Sequence, residues 1–243
     1  MQSKSQAPSI TTGPITAQLM LFFFPILLGT FFQQLYNTGD TIIVGNFVGT
    51  NTALAAVGGA TGQLVNLFVG FFIGLSSGCG VIISQYYGAR DQNAVSKSVH
   101  TALAFSLLSG VVIMVLGLLL TDFSLRAMSL PEEIMPEATA YLRIFFLGMI
   151  PNLFYNMGAA VLRAIGDSKR PLYFLILSCL CNIVLDLIFV AYLRLGVSGA
   201  ALATILSQLA SAVMVIFVLL RTKSDVRLIP SQLRLEPFWL KKM

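Results

Sequence analysis

Charge is scarce in this sequence. Only 15 lysines and arginines and 10 aspartates and glutamates stand among 243 residues, 10% of the chain, where an average soluble domain carries roughly 25%. So few charges cannot solvate the surface of a water-soluble fold of this length, and 56% apolar content excludes a disordered chain. Histidine and tryptophan occur once each and cysteine three times. No metal-ligand cluster and no nucleophile–base set can be assembled from that inventory. Gly58, Gly59 and Gly62 lie in an apolar run rather than after a strand, so they make no phosphate loop. The sequence therefore predicts no enzymatic activity, no cofactor and no cluster of metal ligands.

What is abundant is long uncharged stretches. None of the charged residues falls within 5–39, 41–89, 98–121, 144–162, 171–185 or 195–220. A membrane-crossing helix needs roughly 20 mostly apolar residues. The pattern predicts an all-α polytopic membrane protein with six spans, at 15–45, 53–86, 95–121, 138–162, 171–193 and 198–221. The stretch Met1 to Gly13 lacks the form of a secretory signal, so the first span is expected to be retained. The expected divisions are a tail at 1–14, a six-helix transmembrane region at 15–222 and a basic segment at 223–243. With the N-terminus in the cytoplasm, 12 basic residues face the cytoplasm (Lys4 and Arg90 among them) and 3 face outward (Arg126, Arg143 and Arg194). That asymmetry predicts a multi-pass protein of the plasma (cell inner) membrane. It accounts for the net charge of +5 without a nucleic-acid partner.

Two carboxylates survive inside the spans, Asp40 and Asp186, at about 2.5–3.5 kcal/mol each on insertion scales. Asp40 lies about five residues before the outer end of span 1, Asp186 about seven before that of span 5, and Thr204 about six after the outer start of span 6. All three then sit roughly 8–11 Å inside the outer boundary. Asn182 shares a helix face with Asp186, four residues on. Amide, carboxylate and hydroxyl oxygens at one level suit a hard cation, and Asp40 is placed to carry a proton.

Other polar residues follow helical spacing. Gln33, Tyr36, Asn37 and Asp40 form one stripe on span 1, above Pro25, whose missing N–H permits a kink. Gln63 and Asn66 mark span 2, and Asn152, Tyr155 and Asn156 mark span 4. A shared water-filled cavity and plain interhelical hydrogen bonding both explain such amides. Gly70, Gly74 and Gly78, and likewise Gly199, Ala203, Ser207 and Ser211, read as close-packing stripes. Cys79, Cys179 and Cys181 read as buried apolar groups, and His100 as an interfacial residue without a role. The run Gly49 to Ala56 echoes Gly196 to Ala203.

Three segments resemble one known family. The run from Asp40 through Gly45, Gly49 and Thr50 to Gly58 is similar to the junction of helices 1 and 2 in MATE (multidrug and toxic compound extrusion) transporters. The loops Ser84 to Arg90 and Leu162 to Pro171 match as well, in the same order. The resemblance implies one lobe of a twelve-helix, two-lobe antiporter that exports drugs or organic cations against inward Na⁺ or H⁺. In such transporters a helix 1 Asp, a helix 5 Asn-x3-Asp and a helix 6 Thr form the coupling-ion site, matching Asp40, Asn182, Asp186 and Thr204. Some members carry a helix 1 Tyr and Pro that match Tyr36 and Pro25. The implied partners are the bilayer, small-molecule organic cations or drugs, and a second six-helix lobe. A lipid-linked oligosaccharide flippase and a non-transporting truncated membrane protein are the alternatives. No Lys or Arg lies deep in a span to serve the flippase.

Overall fold

The structure, a computed structural model, describes residues 15–242; the expected tail at 1–14, with Lys4, lies outside them. Among the described residues nine α-helices run in chain order: α1 (Ile15–Phe47), α2 (Asn51–Gly58), α3 (Ala60–Gly88), α4 (Gln92–Ala127), α5 (Met135–Leu147), α6 (Met149–Ala164), α7 (Lys169–Asp186), α8 (Gly196–Arg221) and α9 (Pro237–Lys242). No strand occurs among the described residues. The six expected spans are α1, α2 with α3, α4, α5 with α6, α7, and α8. Their outer surfaces are apolar and largely unburied: only 22% of the most apolar window of α4 is covered by the rest of the lobe. In water that surface would not persist, whereas lipid satisfies it.

Turn chemistry sets the boundaries. Gly49 and Gly196, which open the two halves of the sequence echo, both take left-handed backbone (φ 69° and 60°). The Thr50 hydroxyl accepts from Ala53 N–H at 3.2 Å, and Asp91 accepts from Ala94 N–H at 3.0 Å, capping α2 and α4.

Three spans depart from simple rods. Span 2 breaks at Gly59, where a Cβ would stand 2.5 Å from the Ala55 carbonyl oxygen. Span 4 bends by 51° between α5 and α6. Pro151 gives no N–H to the carbonyl of Leu147, and Gly148 leaves a notch in which a Cβ would stand 2.7 Å from Ile205 of α8. Span 5 passes into a π-helical turn, Leu187–Tyr192, directly after Asp186.

Two apolar cores hold the lobe together. The outer one gathers Val44, Leu125, Leu142, Met149 and Leu153. The inner one gathers Ile83, Val99, Leu162, Val215 and Leu219. Small residues let helices approach, though not where the longest glycine stripe predicted. Gly70 and Gly74 are exposed, and a Cβ added at either would meet nothing within 4 Å. That expectation is corrected: α3 packs through Gly80, opposite Ala160 of α6. The close approaches fall instead on Gly110 against Ile150, Gly117 against Phe146 and Gly158 against Val215. The α8 stripe is buried as expected, at Gly199, Ala203, Ser207 and Ser211. A Cβ on Gly110 would lie 2.9 Å from the Ile150 backbone, which cannot rotate away. Gly110→Ala is therefore expected to destabilise the purified chain by about 1–3 kcal/mol. Gly74→Ala is expected to cost nothing, and its helix propensity favours it by up to about 1 kcal/mol. Thermal unfolding in detergent compares them.

The segment after α8 is not a loose tether. Val226, Leu228 and Trp239 are buried, and Leu228 N–H donates to the Leu219 carbonyl at 2.9 Å. The expectation for His100 is also corrected. It is 2% exposed; its Nδ1–H donates to the Ser96 carbonyl at 2.7 Å, and its Nε2 accepts from Ile229 N–H at 3.0 Å. The second bond fixes the tautomer of the first. It clips the chain after α8 to the inner end of α4, a partnership 129 residues apart in sequence.

Candidate ion site and family membership

Side chains from three helices converge in the half of the lobe that holds the α1–α2 turn. α1 contributes Tyr36 and Asp40, α7 contributes Asn182 and Asp186, and α8 contributes Thr204 and Ser207. The i, i+4 spacing on α1 and α7 aims each pair inward from one face. Asn182 and Asp186 are fully buried, and Asp40 and Thr204 nearly so, at 5% and 3% exposure. The depth estimate from sequence thus brings together residues that meet in space.

Thr204 Oγ1 donates to Asp40 Oδ2 at 3.2 Å. Tyr36 OH lies 2.8 Å from Ser207 Oγ and 3.3 Å from the Thr204 carbonyl. Ser178 Oγ donates to the Ser207 carbonyl at 2.9 Å, closing the α7–α8 side. Asp40 adjoins both Asp186 and Asn182.

The two acids and the amide are largely unsatisfied. Asp40 Oδ1, both oxygens of Asp186 and both polar atoms of Asn182 are buried without a hydrogen-bond partner among the described residues. Buried polar groups in folded proteins are nearly all paired, and an unpaired buried carboxylate costs several kcal/mol. Asp40 and Asp186 lie within hydrogen-bond reach of each other, so a proton shared between the two carboxyls pairs two of these five atoms, and the other three still call for a partner. The donors are two carboxylates, an amide and a hydroxyl. That set suits protons or a small hard cation and not a soft or transition metal. No group of three or more His, Cys, Asp or Glu that could hold a metal occurs among the described residues.

The sequence reading passed over Tyr141. It lies on α5, is 6% exposed and stands within electrostatic reach of both Asp40 and Asp186. A single Tyr in an otherwise apolar run gave no pattern to read; its depth near the outer start of span 4 was the available signal.

Other candidates lie apart from the acids. Pro25 is buried, and α1 runs on through it as one helix. Gln33 and Asn37 are exposed, so the span 1 stripe divides, with Tyr36 and Asp40 inward and the two amides on the outer surface of the lobe. Gln63 and Asn66 are exposed on α3. Asn156 turns back on Asn152 within α6, its Nδ2 donating to Asn152 Oδ1 at 2.7 Å and to the Asn152 carbonyl at 2.9 Å. Tyr155 OH donates to the Pro171 carbonyl at 3.3 Å, which ties α6 to α7. A cleft of about 920 Å³ opens between the inner halves of α1, α3 and α6, and none of these amides lines it.

The family model MatE matches residues 25–188. The chain belongs to the MatE family. Among its MatE relatives, the Probable multidrug resistance protein YpnP of Bacillus subtilis strain 168 is 33% identical over 236 residues, covering 96% of this chain and 51% of that protein. Probable multidrug resistance protein YoeA of the same strain is 35% identical over 231 residues, covering 92% and 50%. A solved structure described as MATE in the bent conformation superimposes with a TM-score of 0.86 at 30% identity, over 94% of this chain and 51% of that one. The chain spans about half the length of the curated relatives it matches. The stretch common to the MatE model includes Asp40, Asn182 and Asp186.

Proposed function

We propose that this MatE chain is the lobe that carries the coupling-ion site of an efflux antiporter for drugs or organic cations. Asp40, Asn182, Asp186 and Thr204 hold the ion, Na⁺ or H⁺, and Tyr36 and Tyr141 frame it. The observation that carries this reading is the set of buried polar atoms contributed by α1 and α7 beneath the Thr204 hydroxyl, three of which stay unpaired even with a proton shared between the acids. Binding an ion there relieves their desolvation. It does so at the junction of α1, α7 and α8, so ion binding changes how α1 packs on the lobe. No lysine or arginine lies deep in a span, and the two arginines of the 920 Å³ cleft, Arg90 and Arg163, stand at helix ends, which favours a cationic substrate over the anionic one of a flippase. The 12-to-3 basic asymmetry supports a cytoplasmic N-terminus in the plasma (cell inner) membrane.

Alternating access rocks one repeat against another around a site between them. A partner lobe therefore completes the machine, and the segment at 223–243 is the linker on its side of the lobe. The exposed amides Gln33, Asn37, Gln63 and Asn66 are offered to the cavity that two lobes enclose. Vesicles test this. With this chain and a second six-helix half, a fluorescent organic cation is expected to be driven out by a Na⁺ or H⁺ gradient. With this chain alone, efflux stays at the level of empty vesicles. Equal efflux from vesicles carrying the Asp186→Asn chain would overturn the ion-coupled reading.

A further inference from the structure

The segment after α8 also walls a smaller cavity, of about 300 Å³, against the first turns of α4. Asn93, Lys97 and Thr101 line it from α4 at i, i+4 and i+8, one face of that helix. Gln232, Arg234 and Glu236 line it from the segment. His100 lines it too, but both of its ring nitrogens are engaged, one of them in holding the opposite wall.

Three features of this cavity are unexplained by packing. First, Lys97 and Arg234 bring cations from two separate elements to one space. The ion pairs found among the described residues are Arg143–Asp122 and Arg170–Asp167, so Glu236 bridges neither Lys97 nor Arg234. Second, Thr101 is 1% exposed and its hydroxyl has no hydrogen-bond partner among the described residues. A helical threonine ordinarily bonds back to the carbonyl four residues earlier. Thr30, Thr41 and Thr121 of this chain do so, whereas Thr101 and, in the first turn of α3, Thr61 do not. Third, Asn93, Ser96, Ser231 and Gln232 add amide and hydroxyl groups around the same space.

We propose that this cavity binds a phosphate group, with Lys97 and Arg234 clamping it from opposite walls and Thr101, Asn93 and Gln232 donating to its oxygens. Phosphate accepts several charge-assisted hydrogen bonds at once, from a lysine point charge and an arginine fork alike. Lys97, Arg234 and Glu236 leave a net positive charge for it. Two sources present this chemistry: the headgroup of an anionic phospholipid, as in basic pockets at the inner membrane surface, and phosphate free in solution. Either one ties α4 to the segment after α8.

The test uses the full chain in detergent. Native mass spectrometry reads binding of phosphatidylglycerol against phosphatidylcholine, and thermal unfolding reads added inorganic phosphate against chloride. Binding is expected, and Lys97→Ala or Arg234→Ala is expected to weaken it by about tenfold or more, the worth of one charge-assisted bond. Glu236→Gln is expected to tighten it, an effect that a merely structural cleft does not produce. Arg194→Ala, at the far end of the lobe, leaves it unchanged. Retention of lipid without a phosphate effect assigns the headgroup, and a response to both probes shows that phosphate alone suffices. The proposal fails if neither probe binds. It fails equally if Arg194→Ala weakens binding as much as Lys97→Ala, or if Glu236→Gln leaves the affinity unmoved.

Discussion

In chains carrying Asp40→Asn or Asp186→Asn, titration with Na⁺ and titration with acid are both expected to leave the ion response flat. The unsubstituted chain gains about 2.7 kcal/mol of stability when its coupling ion reaches one hundred times its dissociation constant. The substitution keeps the shape of the side chain and removes its charge at a position that solvent does not reach, Asp186 being fully buried. Loss of fold is not the expected cause. Each variant removes a buried carboxylate with unpartnered oxygens, and such groups cost stability in the absence of a ligand. The ion-free variants are therefore expected to unfold at the same temperature as the parent or above it, as when a functional site is relieved of strain. Thermal unfolding of the purified chain across both titrations reads the two quantities together. Thr204→Val is expected to show a partial loss, since it removes one oxygen and the bond to Asp40. An undiminished gain in both Asn variants would falsify the assignment.

Trp239→Ala is expected to free the end of the chain. Trp239 is 6% exposed, with its ring edge-to-face against Tyr86 at 5.0 Å and against Phe238 at 5.2 Å. Truncating a buried tryptophan costs about 3–5 kcal/mol. Helix α9 has six residues and holds its place by this contact and the Lys242–Tyr86 hydrogen bond, so the cost is borne locally. The undocked population is expected to rise by roughly two to three powers of ten. Hydrogen exchange of residues 233–242 should accelerate accordingly, while α4 and α8 keep their protection. His100→Ala is expected to loosen the same segment from its other end, by the weaker margin of one hydrogen bond, about 1 kcal/mol. Unchanged exchange in the Trp239→Ala chain would mean that α9 is held by something else.

Much of the architecture was legible because lipid imposes a simple rule: uncharged runs of sufficient length become helices. The convergence of Asp40, Asn182, Asp186 and Thr204 was legible for a related reason. A carboxylate in a span is costly, so its position carries information, and residues at equal depth on neighbouring helices can meet. What escaped the sequence depended on contacts between distant segments. Gly70 and Gly74 have the spacing of a packing stripe, but no helix of this lobe lies opposite them. His100 looked idle because its partner, Ile229, sits in a stretch that the sequence presents only as basic and Pro-punctuated. The π-helical turn after Asp186 was invisible because hydropathy does not distinguish backbone hydrogen bonds spaced four residues apart from those spaced five apart. The division of the span 1 stripe was hidden by spacing alone, since i, i+3, i+4, i+7 defines a stripe without saying which edge of it turns inward.

The bend at Gly148 has a consequence for how the protein enters its membrane. Helix α5 is 13 residues long and α6 is 16, about 20 Å and 24 Å at 1.5 Å per residue, and neither alone crosses a hydrocarbon layer of about 30 Å. They must leave the translocon together. Pro151 already lies within the segment as it emerges, so the weak point is present from the start. Ile205, which occupies the notch beside Gly148, belongs to the sixth span and is not yet packed against it at that moment. During biogenesis the fourth span therefore waits, hinged and unset, until the sixth arrives to wedge it at its final angle.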